Sequence, residues 1–245
     1  MRMNQRITWK TVAALGVAMI VSATPAFAAW VGNVADVAPA NTFVVQSASA
    51  QYADLASAYA AAVDNDTILV GPGTYSVATI TNTKRVSLIG SGSTNDPATS
   101  SVFDGLGATG ARLWYTIAAA TADPSIVSAV KDLRVQNLMG GAFGVDGGIP
   151  NLTYENLAVV NIANNPADPG GWGDGFTVGG ATDNLVMRNN LIDGKNAYGI
   201  RVPGSLVNRN WLIEGNELKN MKMGIVLNAT APVFVSESDR PTTTR

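Results

Sequence analysis

A chain of 245 residues with 47% hydrophobic and 14% charged residues is long enough to bury a core, and its net charge is only −2. No dense basic run stands out, so nucleic acid is not an expected partner. There is no Cys and no His, which excludes disulfides, thiol nucleophiles, Ser-His-Asp triads and Cys- or His-ligated metals. Any chemistry must then rest on Asp, Glu, Lys, Arg, Tyr or a hard cation bound by oxygen.

Residues 1–28 read as an export signal. Arg2, Arg6 and Lys10 form a basic start, Val12 to Val21 is an uncharged apolar run of ten residues, and Ala26-Phe27-Ala28 after Pro25 is a small-x-small cleavage pattern. Ten helical residues span about 15 Å, half of a hydrocarbon core, so no stable membrane span is expected. Cleavage after Ala28 removes three positive charges and no acid, leaving 217 residues of net charge −5. The expected location is secreted, periplasmic or at the cell surface.

Leu55 to Val63 is Ala-rich and predicts a helix, stopped by Asp64-Asn65-Asp66. Short strands are predicted at Thr67 to Val70, Val77 to Ile80 and Arg85 to Ile89, separated by Gly71-Pro72-Gly73 and closed by Gly90-Ser91-Gly92. The second half repeats. Four blocks align: Asp132 to Leu138, Asn151 to Leu157, Asn184 to Leu191 and Asn210 to Leu218. Each is followed by a Gly and an apolar strand, beginning at Gly144, Gly175, Gly199 and Gly224.

Alternation places Leu133, Leu152, Leu185 and Trp211 in one interior column and Val135, Tyr154, Met187 and Ile213 in a second. Fifteen Asn lie between residues 137 and 228. Asn tolerates the left-handed backbone a sharp bend requires, and its amide can bond to the same amide one strand spacing away. Gln136, Glu155, Arg188 and Glu214 form an expected outward charge ladder.

Two stretches carry a family resemblance: Asp66-Thr67-Ile68-Leu69-Val70-Gly71-Pro72-Gly73-Thr74-Tyr75 and Val86-Ser87-Leu88-Ile89-Gly90-Ser91-Gly92. With the Asn/Gly repeats they make residues 41–229 resemble the right-handed parallel β-helix superfamily that includes pectate lyases. The resemblance implies an all-β, single-stranded right-handed parallel β-helix with an N-terminal capping helix over residues 29–235. It also implies about 22 residues per turn and thus about eight turns. Residues 236–245 form a polar tail. No capping helix is predicted at the C-terminal end, which leaves three alternatives: a longer natural chain, self-association through the uncapped coil, or capping by the chain's own tail.

The spacings between Asn137, Asn156, Asn190 and Asn216 are 19, 34 and 26 residues. The long one holds Asn164 to Asp174, a Pro/Gly-rich loop in which Trp172 could be a platform for a sugar ring or fold back over the coil. Two residues past each Gly stand Asp146, Thr177, Arg201 and Val226; just before each stand Phe143, Asp174, Tyr198 and Met223. Strict alternation turns the second set inward, while a bend at Gly turns it out. If it is outward, Asp174, Arg201 and Asp146 are the candidate catalytic groups. Trp172, Tyr198, Thr177 and Lys195 are the candidate substrate contacts.

In this alignment Asp146 and Asp174 lie about 11 Å apart at the backbone, marginal for an inverting hydrolase. Gly173-Asp174-Gly175-Phe176 is similar to the Asp-Gly segment of polygalacturonase-like hydrolases, but the companion acid and the Gly-His-Gly and Arg-x-Lys segments are missing. For a lyase, Arg201 or Lys195 could be the base, with Ca²⁺ a candidate cofactor near Asp168, Asp174 or Asp193. Arg201-Val202-Pro203 is similar to the start of the pectate lyase Arg-x-Pro-x-x-Arg motif, yet Leu206 stands where its second Arg belongs. The expected function is binding or cleavage of an extracellular polysaccharide, an acidic one included. The alternative is a non-catalytic surface scaffold.

Overall fold

The computed structural model describes residues 43–45, 51–117, 125–146, 149–163, 173–180, 182–206, 210–229 and 233–235. Residues 1–28, Trp172 with most of its loop, and the tail at 236–245 lie outside them. Strands β1 (Phe43–Val45) and β2 (Gln51–Tyr52) pair antiparallel, and β1 also runs antiparallel to β3 (Thr67–Val70). Helix α1 (Leu55–Ala61) follows β2. The Asp54 carboxylate caps its N-terminus by accepting from Ser57 N at 2.7 Å. Lys84 Nζ caps the other end by donating to the carbonyls of Tyr59 at 2.9 Å and Ala62 at 2.6 Å. Leu55 and Ala58 turn inward and are buried.

From β3 onward the strands come in threes. The rounds are β3, β4 (Gly73–Ser76), β5 (Ile80–Asn82); β6 (Ser87–Ile89), β7 (Ser101–Thr109), β8 (Trp114–Ile117); and β9 (Ser128–Lys131), β10 (Leu133–Met139), β11 (Phe143–Asp146). Then come β12 (Leu152–Glu155), β13 (Ala158–Ala163), β14 (Asp174–Val178); β15 (Val186–Arg188), β16 (Leu191–Lys195), β17 (Tyr198–Leu206); and β18 (Trp211–Glu214), β19 (Glu217–Lys219), β20 (Met223–Ala229), with β21 (Val233–Val235) last. The first member of each round enters sheet I, the second sheet II and the third sheet III, and from β3 every strand pairs parallel with the strand three places on. The helix, the three parallel sheets and the mostly β content match the expectation.

Register fixes how long each round is. Thr67 pairs with Ser87, Leu88 with Val130, Tyr154 with Met187 and Ile213 with Val235. The chain therefore spends as few as 20 and as many as 42 residues per round. The described residues hold six complete rounds and β21, fewer than eight, because the extra residues leave the corners as loops. Of the strand expected at Val77 to Ile80 only Ile80 is in a strand, β5; Val77 to Thr79 form the turn after β4, where Val77 N–H donates to the Asp104 carbonyl.

One block alignment is corrected. Asn151, Asn184 and Asn210 do lead into sheet I, but Leu133 and Val135 belong to sheet II, where Val135 pairs with Val159. The sheet I partners of Leu152 and Tyr154 are Ser128 and Val130. Gln136 likewise leaves the sheet I ladder, and Lys131 takes its place. Its Nζ lies 2.7 Å from Glu155 Oε2, and Arg188 Nε lies 2.7 Å from Glu155 Oε1. Such half-exposed pairs contribute under about 1 kcal/mol each.

Between the sheets the alternating apolar residues form one core. Phe143 and Phe176 stack at 5.2 Å, and Tyr154 meets Phe176 edge-on at 5.2 Å. The corners use the left-handed backbone as expected. Asn156 (φ 53°) and Asn189 (φ 55°) turn sheet I into sheet II, and Asn151, Asn184 and Asn210 precede sheet I at φ 55–59°. Amides bond from round to round: Asn184 Nδ2 to Asn151 Oδ1 at 2.8 Å, and Asn210 Nδ2 to Asn184 Oδ1 at 3.1 Å.

Candidate functional site

The expected cluster lies on sheet III, and the structure brings part of it together. Thr177 pairs with Arg201 across β14 and β17, and Asp174 pairs with Tyr198. Arg201 Nε and Nη2 donate to Asp174 Oδ2 at 2.9 and 2.8 Å, and Thr177 Oγ1 donates to the same oxygen at 2.5 Å. All five residues of β14 are buried, so its outward side is closed as well as its inward side. Asp174 has no exposed surface, and its Oδ1 has no hydrogen-bond partner among the described residues. A carboxylate held by a guanidinium and a hydroxyl in this way is an enclosed ion pair, with a high cost for losing either partner.

Asp146 stands elsewhere. Phe143 pairs with Phe176, so Gly144 faces Thr177 and Asp174 faces the row of Gly141. Asp146 is five residues beyond Gly141. Strand rise and spacing put the two acids about 17 Å apart at the backbone, not about 11 Å. The reason is a two-residue shift: the residue in register with Gly175 in that round is Ala142, and Gly144 stands two places further on. Phe143 accordingly points inward. Asp146 Oδ2 instead accepts from the Tyr115 hydroxyl at 3.0 Å.

Tyr198 is half-buried at the start of β17, with Lys222 Nζ 5.5 Å from its ring centroid. Lys195 is exposed at the end of β16 in sheet II, on a different sheet from Arg201. Trp172 lies outside the described residues. Among the described residues no three Asp or Glu converge as a cation site, and no helix is long and apolar enough to cross a membrane.

Lys195 marks a second region. The exit corner of sheet II carries two adjoining hollows of about 330 and 590 Å³ that share Asn161 and Lys195. Leu106, Leu138, Met139 and Ala163 supply apolar surface in the first. Asp193, Asn196 and Asn220 line the second. The polar wall is organised by the repeat itself. Asn161 Nδ2 donates to Asn137 Oδ1 at 2.5 Å, Asn137 Nδ2 to Asp104 Oδ2 at 2.9 Å, and Asn220 Nδ2 to Asp193 Oδ1 at 2.7 Å. Crossing from β7 to β19, the trough runs about 19 Å along the stacking direction.

Asp104 anchors one end. Burial works against its ionisation, but bonds from the Gln136 amide, Leu106 N–H and the Asn137 amide together lower its pKa. Its Oδ1 accepts from Leu106 N at 2.8 Å and holds the turn that lifts Leu106 out of the sheet. Gln136 pairs with Asp104 but Leu138 with Ala108, so Gly105, Leu106 and Gly107 form a bulge. Leu106 is 82% exposed at φ 50°, a conformation costly for a branched apolar residue. Sequence reasoning missed this trough because Leu106, Met139 and Ala163 look like core residues. The signal was Gly105-Leu106-Gly107 after an acid, a turn pattern with an apolar tip.

No protein-family model matches the chain, and neither a curated protein nor a solved structure matches it.

Proposed function

We propose that this chain is an exported right-handed parallel β-helix that binds an extended extracellular polysaccharide along the sheet II trough, without cleaving it. One observation carries the reading: the two hollows share Asn161 and Lys195, making a continuous lane of amides beside apolar surface. A sugar ring needs both. Its hydroxyls take amides, which donate and accept, and its C–H faces lie on aliphatic side chains. A repeated polymer matches side chains repeated every strand spacing. Export rests on the signal-like segment at 1–28.

Binding is favoured over cleavage by the placement of the acids. Asp104 and Asp193 are three strand spacings apart in sheet II, about 14 Å at the backbone. Hydrolysis needs carboxyl groups about 5–9.5 Å apart. Asp174 is enclosed with Arg201, and Asp146 is in another row.

The test is electrophoresis of the mature protein through gels containing pectate, alginate, hyaluronan or neutral glycans. At least one polymer slows the protein. Ala163→Trp, which fills the trough, abolishes the retardation. Leu106→Asn, which keeps a residue suited to φ 50°, weakens it. No retardation in any gel, or retardation indifferent to Ala163→Trp, overturns the proposal. Unsaturated uronate or new reducing ends in the same samples would overturn the non-cleaving part of it.

A further inference from the structure

At the entry to sheet III, two rounds before Asp174 of the enclosed ion pair, Arg112 is placed in an unusual way. Its side chain leaves the segment before β8 and lies across the bare backbone of the next round. A Cβ on Gly144 would meet Arg112 Nη1 at 2.4 Å, and one on Gly141 would meet Nε at 3.2 Å. The guanidinium carbon sits 4.9 Å from the Tyr115 ring centroid, a cation–π contact. Tyr115 is itself fixed by its hydroxyl's bond to Asp146. Arg112 is half-buried, and no acceptor among the described residues is hydrogen-bonded to its guanidinium. Salt-bridge distance to Asp146 is not reached.

The neighbouring rows give this cation its context. Gly144 pairs with Thr177, and Thr177 with Arg201. Arg201 folds back onto Asp174 in β14, and Arg112 reaches forward over β11. The two guanidinium groups thus lie over adjacent strands, about 5 Å apart in the stacking direction. Only Arg201 is bound to an acid within that pair. Arg112 is held flat by an aromatic ring and a glycine floor, with its donor edge unspent among the described residues. A planar fork fixed in this way suits a planar oxyanion, which it can meet with two parallel bonds.

We propose that Arg112 is the anion-recognition residue of sheet III and takes the carboxylate or sulfate group of an acidic sugar, with Tyr115 and Gly144 positioning its guanidinium. This names a charged substituent for the polysaccharide reading above and rests on that reading for its biological ligand. The chemistry stands apart from the trough, because Arg112 lies on another sheet. Asp146 acts here as a positioning residue through Tyr115.

The Nε–H signal of Arg112 is followed by ¹⁵N NMR in the full mature protein, assigned by its loss in Arg112→Lys. Galacturonate, inorganic sulfate and glucose are titrated separately. A saturable shift with galacturonate supports a uronate ligand. A shift with sulfate alone supports a sulfated sugar, and a shift with both supports oxyanion recognition in general. Gly144→Ala, whose methyl group displaces Nη1, abolishes the response while the remaining spectrum keeps its dispersion. If galacturonate gives the shift, Arg112→Ala weakens pectate retardation about tenfold, the loss of one charge-assisted contact, and leaves any neutral glycan unaffected. No shift with either anion, or an equal shift with glucose, overturns the proposal. Because monosaccharides and free ions are the probes, that failure is distinct from loss of polymer retardation by the trough.

Discussion

Two columns of asparagine use the same side chain for different ends. Asn190 and Asn216 are buried at the start of sheet II. Asn190 Oδ1 accepts from Leu157 N at 3.0 Å, and its Nδ2 donates to Tyr154 O at 3.1 Å and to Asn216 Oδ1 at 2.8 Å. Asn151, Asn184 and Asn210 stack in the same manner at the corner before sheet I, but in solvent and with left-handed backbone. In the buried column the amide satisfies main-chain groups that water cannot reach. In the exposed column its main service is to accept a backbone conformation. A ladder seen in sequence therefore has no single energetic meaning, and burial decides which meaning applies.

Asn190→Ala is the largest expected loss. It orphans the buried Leu157 N–H, removes the side-chain donor to Tyr154 O and leaves Asn216 Oδ1 only the backbone N–H of residue 190, costing about 3 kcal/mol in urea unfolding. Asn190→Gly rescues nothing, since this residue does not need a left-handed backbone. Asn184→Ala costs about 1 kcal/mol, mostly strain at φ 55°, and Asn184→Gly recovers part of it. If Asn184→Ala proved the more damaging of the two alanine variants, the distinction between the columns would collapse.

The smallest effect is an acid dependence on the outer faces. Glu155 lies below its ordinary 4.5, first through the Arg188 bond and then, against burial, through Lys131. Asp104 lies below its ordinary 3.8. A depressed folded pKa contributes stability above the unfolded value, lost as pH falls through the folded one. Urea midpoints should therefore fall as the solution is acidified below about pH 4.5, and Glu155→Gln should flatten that slope. An unchanged slope would assign acid sensitivity to the buried regions instead.

Much of the architecture was legible because its rules are local. Alternating apolar residues mark strands, and Asn before or after them marks corners. The misplaced block shows where local rules stop. Leu133-Arg134-Val135-Gln136-Asn137-Leu138 imitates Leu152-Thr153-Tyr154-Glu155-Asn156-Leu157, yet the two occupy different sheets. The true sheet I strand of that round, Ser128–Lys131, is built from smaller and less patterned residues. The adjacency of Asp174, Thr177 and Arg201 was readable from spacing, but their enclosure was not. Arg112 gave no signal, because its placement depends on glycines in the following round.

The register also bears on how this chain acquires its structure in time. Every strand from β6 onward finds its N-terminal neighbour only 20–42 residues back. Among the described residues no pairing waits for the far end of the polypeptide, so the entropy of closing each loop stays modest and nearly constant. Completed strands can template the next, and assembly can advance while the remainder of the chain is still unstructured. An early defect would stall everything downstream of it, whereas a late one would spare what had already formed.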